Sequence, residues 1–538
     1  MTDVTADNFD ELWPHIQRNI DQAVLVGIDS EFSGIVASPK LKNSLFDTMP
    51  ERYTLQRQNI SPFTITQFGL TLFVRATEPN AYVAHPYNFY LCPPSFGRLD
   101  PRFSCQASSL QFLRRYGFDF NKFIYGGIPF LHAEDEAMLK ADIKDRSMWS
   151  VKDRVNVDER FIQERCSAVS HWLSDASPDA PAAWSEEVRE LSLRYLLQKE
   201  LRRRFADVWT SSHGSQVLVT RVTPAMRCDL EATDDLDQWL VTSLVGFTRV
   251  MRHLRVRQKP MVGHNCMLDL MLIHHLFIGP LPKEYHRFKA EIHSWFPEVY
   301  DTRHIVHSVK DMCSEEVSAL LDTSSLLSLH RSLGSRALLA AVLHTPAIWL
   351  TDAASRYKKE AAHEAGYDAF AAGCCLLRMA HLIAHRDASS SFSHRPLSVR
   401  EHLAALSQNK NHVNVIRATV NHMCLDGPDP RTERPRWFHL AARGGGSLNV
   451  PEVVELLSQY GAVDVRPCSA RQALVAVGNY RCAKDVMDAF RKDKRYTIAQ
   501  YSALKHSALV RTLLWSGVAV STGLGAVLLL SQLRRTSS

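Results

Sequence analysis

The stretch Val24-Leu25-Val26-Gly27-Ile28-Asp29-Ser30-Glu31-Phe32-Ser33-Gly34 constrains the fold more than any other. Its apolar, β-branched run predicts a buried strand, and Asp29 and Glu31, two residues apart, then project from one face of it. Two carboxylates on one face repel. A buried strand end tolerates them only beside a cation, a proton or a basic group, and a divalent metal with oxygen ligands is the best candidate. The alternative is a pair of solvent-facing acids where the strand runs into a loop.

Acids at suitable places downstream favour the metal. Pro260-Met261-Val262-Gly263-His264-Asn265-Cys266-Met267-Leu268-Asp269-Leu270 predicts a short strand, a turn and a helix start, with Asp269 in the first turns of that helix. There it can face the strand of Asp29 or simply stabilise a helix N-terminus. His363-Glu364-Ala365-Gly366-Tyr367-Asp368-Ala369-Phe370 then leads into an apolar helix over residues 371–383. A loop-to-helix junction can bring His363 and Asp368 to the mouth of one site; read alone, the stretch is equally a helix cap with a surface histidine. Tyr367 rules out an H-E-x-x-H zinc site. Taken together, Asp29, Glu31, Asp269 and Asp368 are candidate ligands of two divalent ions about 3.5–4 Å apart, which activate a water and stabilise a leaving phosphodiester oxygen. His363, with an ordinary pKa of about 6.5, is the candidate general base. Phe32 and Asn265 are candidates for shaping the nucleotide pocket.

Around this core the 538 residues allow roughly three or four domains. Residues 1–157 open an α/β domain with further strands at 63–73, 82–84 and 88–91. Residues 158–235 read as a helical insert interrupted by a loop at 174–181, and 236–425 return to the α/β domain. The strand and helix order of residues 426–505 suggests a small RRM-like α/β module. It is degenerate, because its third strand, residues 471–478, lacks the aromatic residues on which bases stack. Basic clusters at Lys199, Arg202, Arg203 and Arg204 and at Arg252, Arg255, Arg257 and Lys259 are either RNA contacts or solvated faces. The formal charge of +6 does not demand a nucleic-acid partner, and the 11 cysteines include no C-x-x-C pair, which points to reduced thiols.

At the C-terminus, residues 513–533 carry no charge. About 21 residues at a helical rise of 1.5 Å span roughly the 30 Å of a bilayer core. Arg511, Arg534 and Arg535 flank the run and Trp515 fits an interfacial belt. With no signal in the acidic N-terminal residues, the expectation for 511–535 is a transmembrane tail anchor that leaves the rest of the chain in the cytosol.

Four stretches carry a resemblance: Asp29 to Gly34, Gly117-Phe118-Asp119-Phe120-Asn121-Lys122, Gly263-His264-Asn265 through Asp269, and His363 to Ala369. Their order resembles the DEDDh class of 3′→5′ exonucleases and, more closely, the poly(A)-specific ribonuclease family. The resemblance implies an RNase H-like fold, Mg2+ dependence with Mn2+ as a substitute, and release of 5′-nucleotides from RNA 3′ ends. Among the branches of that family, the membrane-anchored exonucleases that trim piRNA 3′ ends are the most similar. That branch implies single-stranded piRNA precursors held by PIWI proteins as substrate, a Tudor-domain adaptor, and the mitochondrial outer membrane as location. The other readings are a poly(A) deadenylase and an inactive scaffold.

Overall fold

The computed structural model of the chain describes residues 3–145, 159–175, 182–387, 395–432, 434–444, 446–491 and 493–535. Two compact units are present: Met1–Lys42, Tyr53–Val415 and His422–Asp429 form the first, and Asn43–Arg52, Ile416–Asn421 and Pro430–Ser538 the second.

The first unit is built on a seven-stranded mixed sheet. Its strands are β1 (Asp3–Val4), β2 (Ala23–Phe32), β3 (Ile65–Arg75), β4 (Ala81–Tyr90), β5 (Met261–Gly263), β6 (Val299–Asp301) and β7 (Ala347–Leu350). β2, β3 and β4 form an antiparallel ribbon, and β5 and β6 continue it in parallel beyond β2. β1 and β7 share the outer edge of β4, pairing with Asn88–Phe89 and with Ala81–Ala84 respectively. The helix Ala365–Asp387 packs across the ribbon. Leu376, Leu377 and Met379 on it are buried with Leu25, Phe73 and Tyr82, each such side chain contributing about 1.5–3 kcal/mol of burial. Among the described residues, Ala365–His385 is long and apolar enough to cross a bilayer, yet 83% of its most apolar stretch is buried, which makes it a core helix.

Glycines set how closely that helix lies. A Cβ on Gly27 would stand 2.2 Å from the Ala369 carbonyl oxygen, and one on Gly69 2.0 Å from that of Ala365. No larger residue at either position lets the first turns of the helix rest on β2 and β3.

The expectation of a helical insert is corrected. Helices Glu159–Ser174, Leu191–Arg204 and Pro224–Thr233 surround a three-stranded antiparallel sheet of Ala183–Glu187, Gln216–Arg221 and Val208–His213. Val208, Val217 and Val219 alternate into its core, and Gly214 at φ 59° makes the hairpin turn. The strands are too short for periodicity to distinguish them from the helices around them. The insert lies within the first unit, and the predicted loop at 174–181 falls mostly outside the described residues. Its basic cluster is paired with nearby acids: Lys199 with Asp237, Arg202 with Asp234, and Arg203 and Arg204 with Glu200. In the second cluster Arg252 meets Glu136, Arg257 meets Asp21 and Arg255 lies over Trp295.

In the second unit, strands Phe438–Ala442, Val463–Ser469, Gln472–Val477 and Tyr496–Gln500 form an antiparallel sheet with helices Val450–Ser458 and Tyr480–Phe490, in βαββαβ order. The last strand was not evident in the sequence. Asn43–Arg52, which the sequence places with the α/β domain, belongs to this unit: Leu45 and Phe46 pack with Ala476, and Arg52 is held by Asp47. The unit ends in the helix Ala508–Arg535, on which Leu513, Leu514, Trp515, Val520, Leu524 and Val527 are exposed.

Candidate active site

Asp29 and Glu31 occupy the end of β2, opposite Gly69 and Gln67 of β3. The side-chain oxygens of Gln67 and of Asn88, on β4, accept hydrogen bonds from the first amides of the core helix, at Ala365 (3.0 Å) and Gly366 (2.5 Å). These bonds satisfy donors that a helix start leaves free, and they fix the turn that carries Asp368. His363 precedes it in a left-handed conformation, φ 63°, and its amide donates to Asp368 Oδ2 at 3.1 Å. Ligand atoms of Glu31, His363 and Asp368 all lie within 4.8 Å of one another.

Asp269 enters from the helix Met267–Ile273, which follows β5 through a turn with Asn265 at φ 58°. The turn hangs on Asp301, a fully buried carboxylate at the end of β6. Asp301 accepts from the amides of Asn265 (2.8 Å), Cys266 (3.1 Å), Arg303 (2.9 Å) and Asn414 (3.0 Å). Asn265 Oδ1 accepts from Asn414 Nδ2 at 2.8 Å, so this side chain is engaged in holding the turn; Phe32 is half-buried at the end of β2, where the pairing with β3 shifts register.

Electrostatics show what the acids lack. Burial first, and then the charges of Asp368, Asp269 and Glu31, hold the Asp29 carboxyl well above the ordinary range. Glu31 is raised for the same reasons, by burial and then by Asp368 and Asp269. Burial pushes Asp269 up to about 7 against the opposing influence of Ser30, and Asp368 up to about 7 against the His363 amide. Asp269 Oδ1 and Ser30 Oγ are buried without a hydrogen bond of normal geometry. Among the described residues, none of the four acids pairs with Lys or Arg. Such a cluster binds protons or cations.

The imidazole of His363 is lowered by burial and is therefore neutral at pH 7. Tyr116 and Phe112 flank it, with ring centroids 4.1 and 4.7 Å away. The helix Ala107–Arg115 carries Phe112 and is capped at its C-terminus by Tyr116; Gly117, φ 77°, turns the chain before Asp119 caps the helix Phe120–Gly126 through the amides of Asn121 and Lys122. Phe112, Tyr116 and Asp301 are not among the residues expected from the sequence. For Asp301 a signal existed: Asp-Thr at a strand end before an amphipathic run is a helix-start pattern.

The CAF1 family of ribonucleases matches residues 4–376. The chain is 34% identical over 532 residues to the pre-piRNA 3′-exonuclease trimmer of Bombyx mori, covering 98% of each chain. It is 33% identical over 529 residues to the poly(A)-specific ribonuclease PNLDC1 of Mus musculus, covering 95% of this chain and 96% of that one. With the poly(A)-specific ribonuclease PARN of Danio rerio it shares 27% identity over 544 residues, 93% of this chain and 77% of the other. On a match of this extent and relatives this alike along nearly their whole length, the chain belongs to the CAF1 family of ribonucleases and is a 3′→5′ exoribonuclease.

Proposed function

We propose that the enzyme trims the 3′ ends of pre-piRNAs held by PIWI proteins, using divalent metal ions bound by Asp29, Glu31, Asp269 and Asp368, and that the helix Ala508–Arg535 anchors it in a membrane. The observation that carries the chemistry is the convergence of four uncompensated carboxylates, two of which, Glu31 and Asp368, have ligand atoms within 4.8 Å of one on His363. The residues fit a hard cation: the donors are carboxylate oxygens suited to Mg2+ or Mn2+, and one of them, Asp269 Oδ1, is buried without a hydrogen bond of normal geometry. When bound, such ions supply a water of lowered pKa and neutralise charge on the phosphodiester oxygens.

The protein's own groups do the rest. His363 receives the proton of the attacking water at a ring nitrogen, which its lowered pKa keeps free at neutral pH. Phe112 and Tyr116 hold the plane of its ring, and the left-handed backbone at 363 keeps it beside Asp368. Gln67 and Asn88 fix the helix start and with it the turn that carries Asp368.

Likeness to the Bombyx trimmer over 98% of both chains supports the pre-piRNA substrate, and the exposed apolar residues of Ala508–Arg535 support the anchor. The resemblance adds the mitochondrial outer membrane and a Tudor-domain adaptor to the proposal. The second reading, a poly(A) deadenylase, is favoured by the other two relatives named above. The deciding experiment uses the full chain in detergent with Mg2+ on 5′-labelled RNAs ending in oligo(A) or mixed sequence, with and without PIWI protein and adaptor. Stepwise shortening of both RNAs that halts at a protected length under PIWI is expected. Shortening confined to oligo(A) establishes the deadenylase, and activity that survives Asp29→Ala overturns the metal assignment. For the anchor, alkaline carbonate extraction is expected to leave the full chain in the membrane pellet and release one lacking residues 511–535.

A further inference from the structure

A second cluster of ligand-bearing side chains lies in the first unit, on different residues from the acidic centre. His304 sits in the first turn of the helix Thr302–Met312. His412 and His422 belong to the two strands of a small hairpin, His412–Asn414 and His422–Cys424, paired so that His412 faces Cys424 and Asn414 faces His422. Residues opposite one another or two apart share a face of such a pair, so both histidines project to the same side. Ring nitrogens of His304, His412 and His422 lie within 4.8 Å of one another, with ring centroids 4.4 Å apart for His304 and His422 and 4.5 Å for His412 and His422.

Three features set this trio apart from ordinary packed histidines. Its ring nitrogens make no hydrogen bond among the described residues, whereas the buried pair His381 and His402 is joined at 3.2 Å and His381 also reaches the Leu343 carbonyl. The three rings are half-buried, so a ligand can reach them. Burial, and then the neighbouring rings, push His304 down to about 3 and His422 to about 4, and burial lowers His412 as well. The trio is therefore neutral at pH 7, with lone pairs available to a metal.

We propose that His304, His412 and His422 form a binding site for a transition-metal ion of the Zn2+ class, with the remaining coordination position open to solvent. Imidazole nitrogen suits zinc, cobalt or nickel, while carboxylate oxygen suits magnesium or manganese, so the two clusters sort different ions. Three protein ligands with one open position is an established zinc arrangement. The site also has a structural reach. The hairpin and the His304 helix both hang on Asp301 through the amides of Asn414 and Arg303, and the same carboxylate holds the Asn265–Cys266 turn that leads to Asp269. An ion that staples hairpin to helix braces that turn from behind.

The test titrates the full chain in detergent, stripped of metal by a chelator, with Zn2+ and with Co2+ in the presence of excess Mg2+. One equivalent of Zn2+ is expected to bind wild type and Asp29→Ala alike, with visible Co2+ bands of nitrogen coordination and slowed amide exchange in the hairpin strands. Because losing even an outer-shell partner costs 10–100-fold in affinity, His412→Asn and His422→Asn are each expected to weaken Zn2+ by at least about 100-fold. Binding that persists in both variants, that vanishes in Asp29→Ala, or that is absent from wild type overturns the proposal. Should either variant melt early, the Co2+ spectrum of wild type still decides: bands lacking nitrogen coordination overturn it.

Discussion

The acidic centre and the histidine trio are both desolvated by burial and respond in opposite senses. Burial raises Asp29, Glu31, Asp269 and Asp368, and the charges of neighbouring acids add to it, whereas burial lowers His304, His412 and His422. Desolvation disfavours whichever form is charged. The acids are thus left in need of positive charge near neutral pH, while the imidazoles are comfortable as neutral rings. The difference teaches that proximity alone does not say what a cluster requires. The first cluster depends on its cation for the chemistry; the second gains a brace from one.

The largest effect that sharpens this contrast is at Asp29. Asp29→Ala is expected to lower Mg2+-dependent cleavage at least about 10³-fold, roughly 4 kcal/mol of transition-state stabilisation. Melting should change little, since one repelling charge has been removed. Retained activity in a labelled-RNA assay breaks the distinction between the clusters. Next comes His363→Ala, expected to cost about 10²–10³-fold in kcat as the loss of a general base. Tyr116→Ala should cost less, because it loosens the ring without removing it.

A third change tests how the acidic cluster is assembled. Gly69→Val drives a side chain into the Ala365 carbonyl, and overpacking of this kind is expected to cost about 1–3 kcal/mol in urea unfolding. The smallest effect is on pH dependence. In the folded apoprotein Asp269 and Asp368 hold protons up to about pH 7, against a reference value of 3.8. The folded state therefore binds more protons than the unfolded one between those values, and stability falls as pH rises through that window. Thermal melting with a chelator present should drop from pH 5 to pH 8, and Mg2+ should flatten the profile. An unchanged profile without metal would mean the acids are not crowded as described.

Local pattern carried much of this site. The β-branched run before Asp29 and the apolar helix after Asp368 are visible because one strand and one helix each keep a regular period. What escaped depends on distant partners. Asp301 reads as a simple cap until Asn414, 113 residues later, is found on the same carboxylate. Gly27 and Gly69 look like weak points in strands until a helix is found resting on them. Arg52, on a short helix of the early chain, is satisfied by the carbonyls of Ile416 and Arg417, and this ties Asn43–Arg52 to the second unit. The insert's strands were hidden by their shortness.

The bond between Gln67 and the Ala365 amide spans 298 residues of chain, and it has a consequence for biosynthesis. At about 5–20 residues per second, a ribosome finishes β3 some 15–60 s before it delivers the helix that covers it. Through that interval the nascent chain carries the apolar face of β2 and β3 without the helix that covers it, and Asp29 and Glu31 without Asp368. The four-acid site is therefore incomplete until residue 368 has emerged.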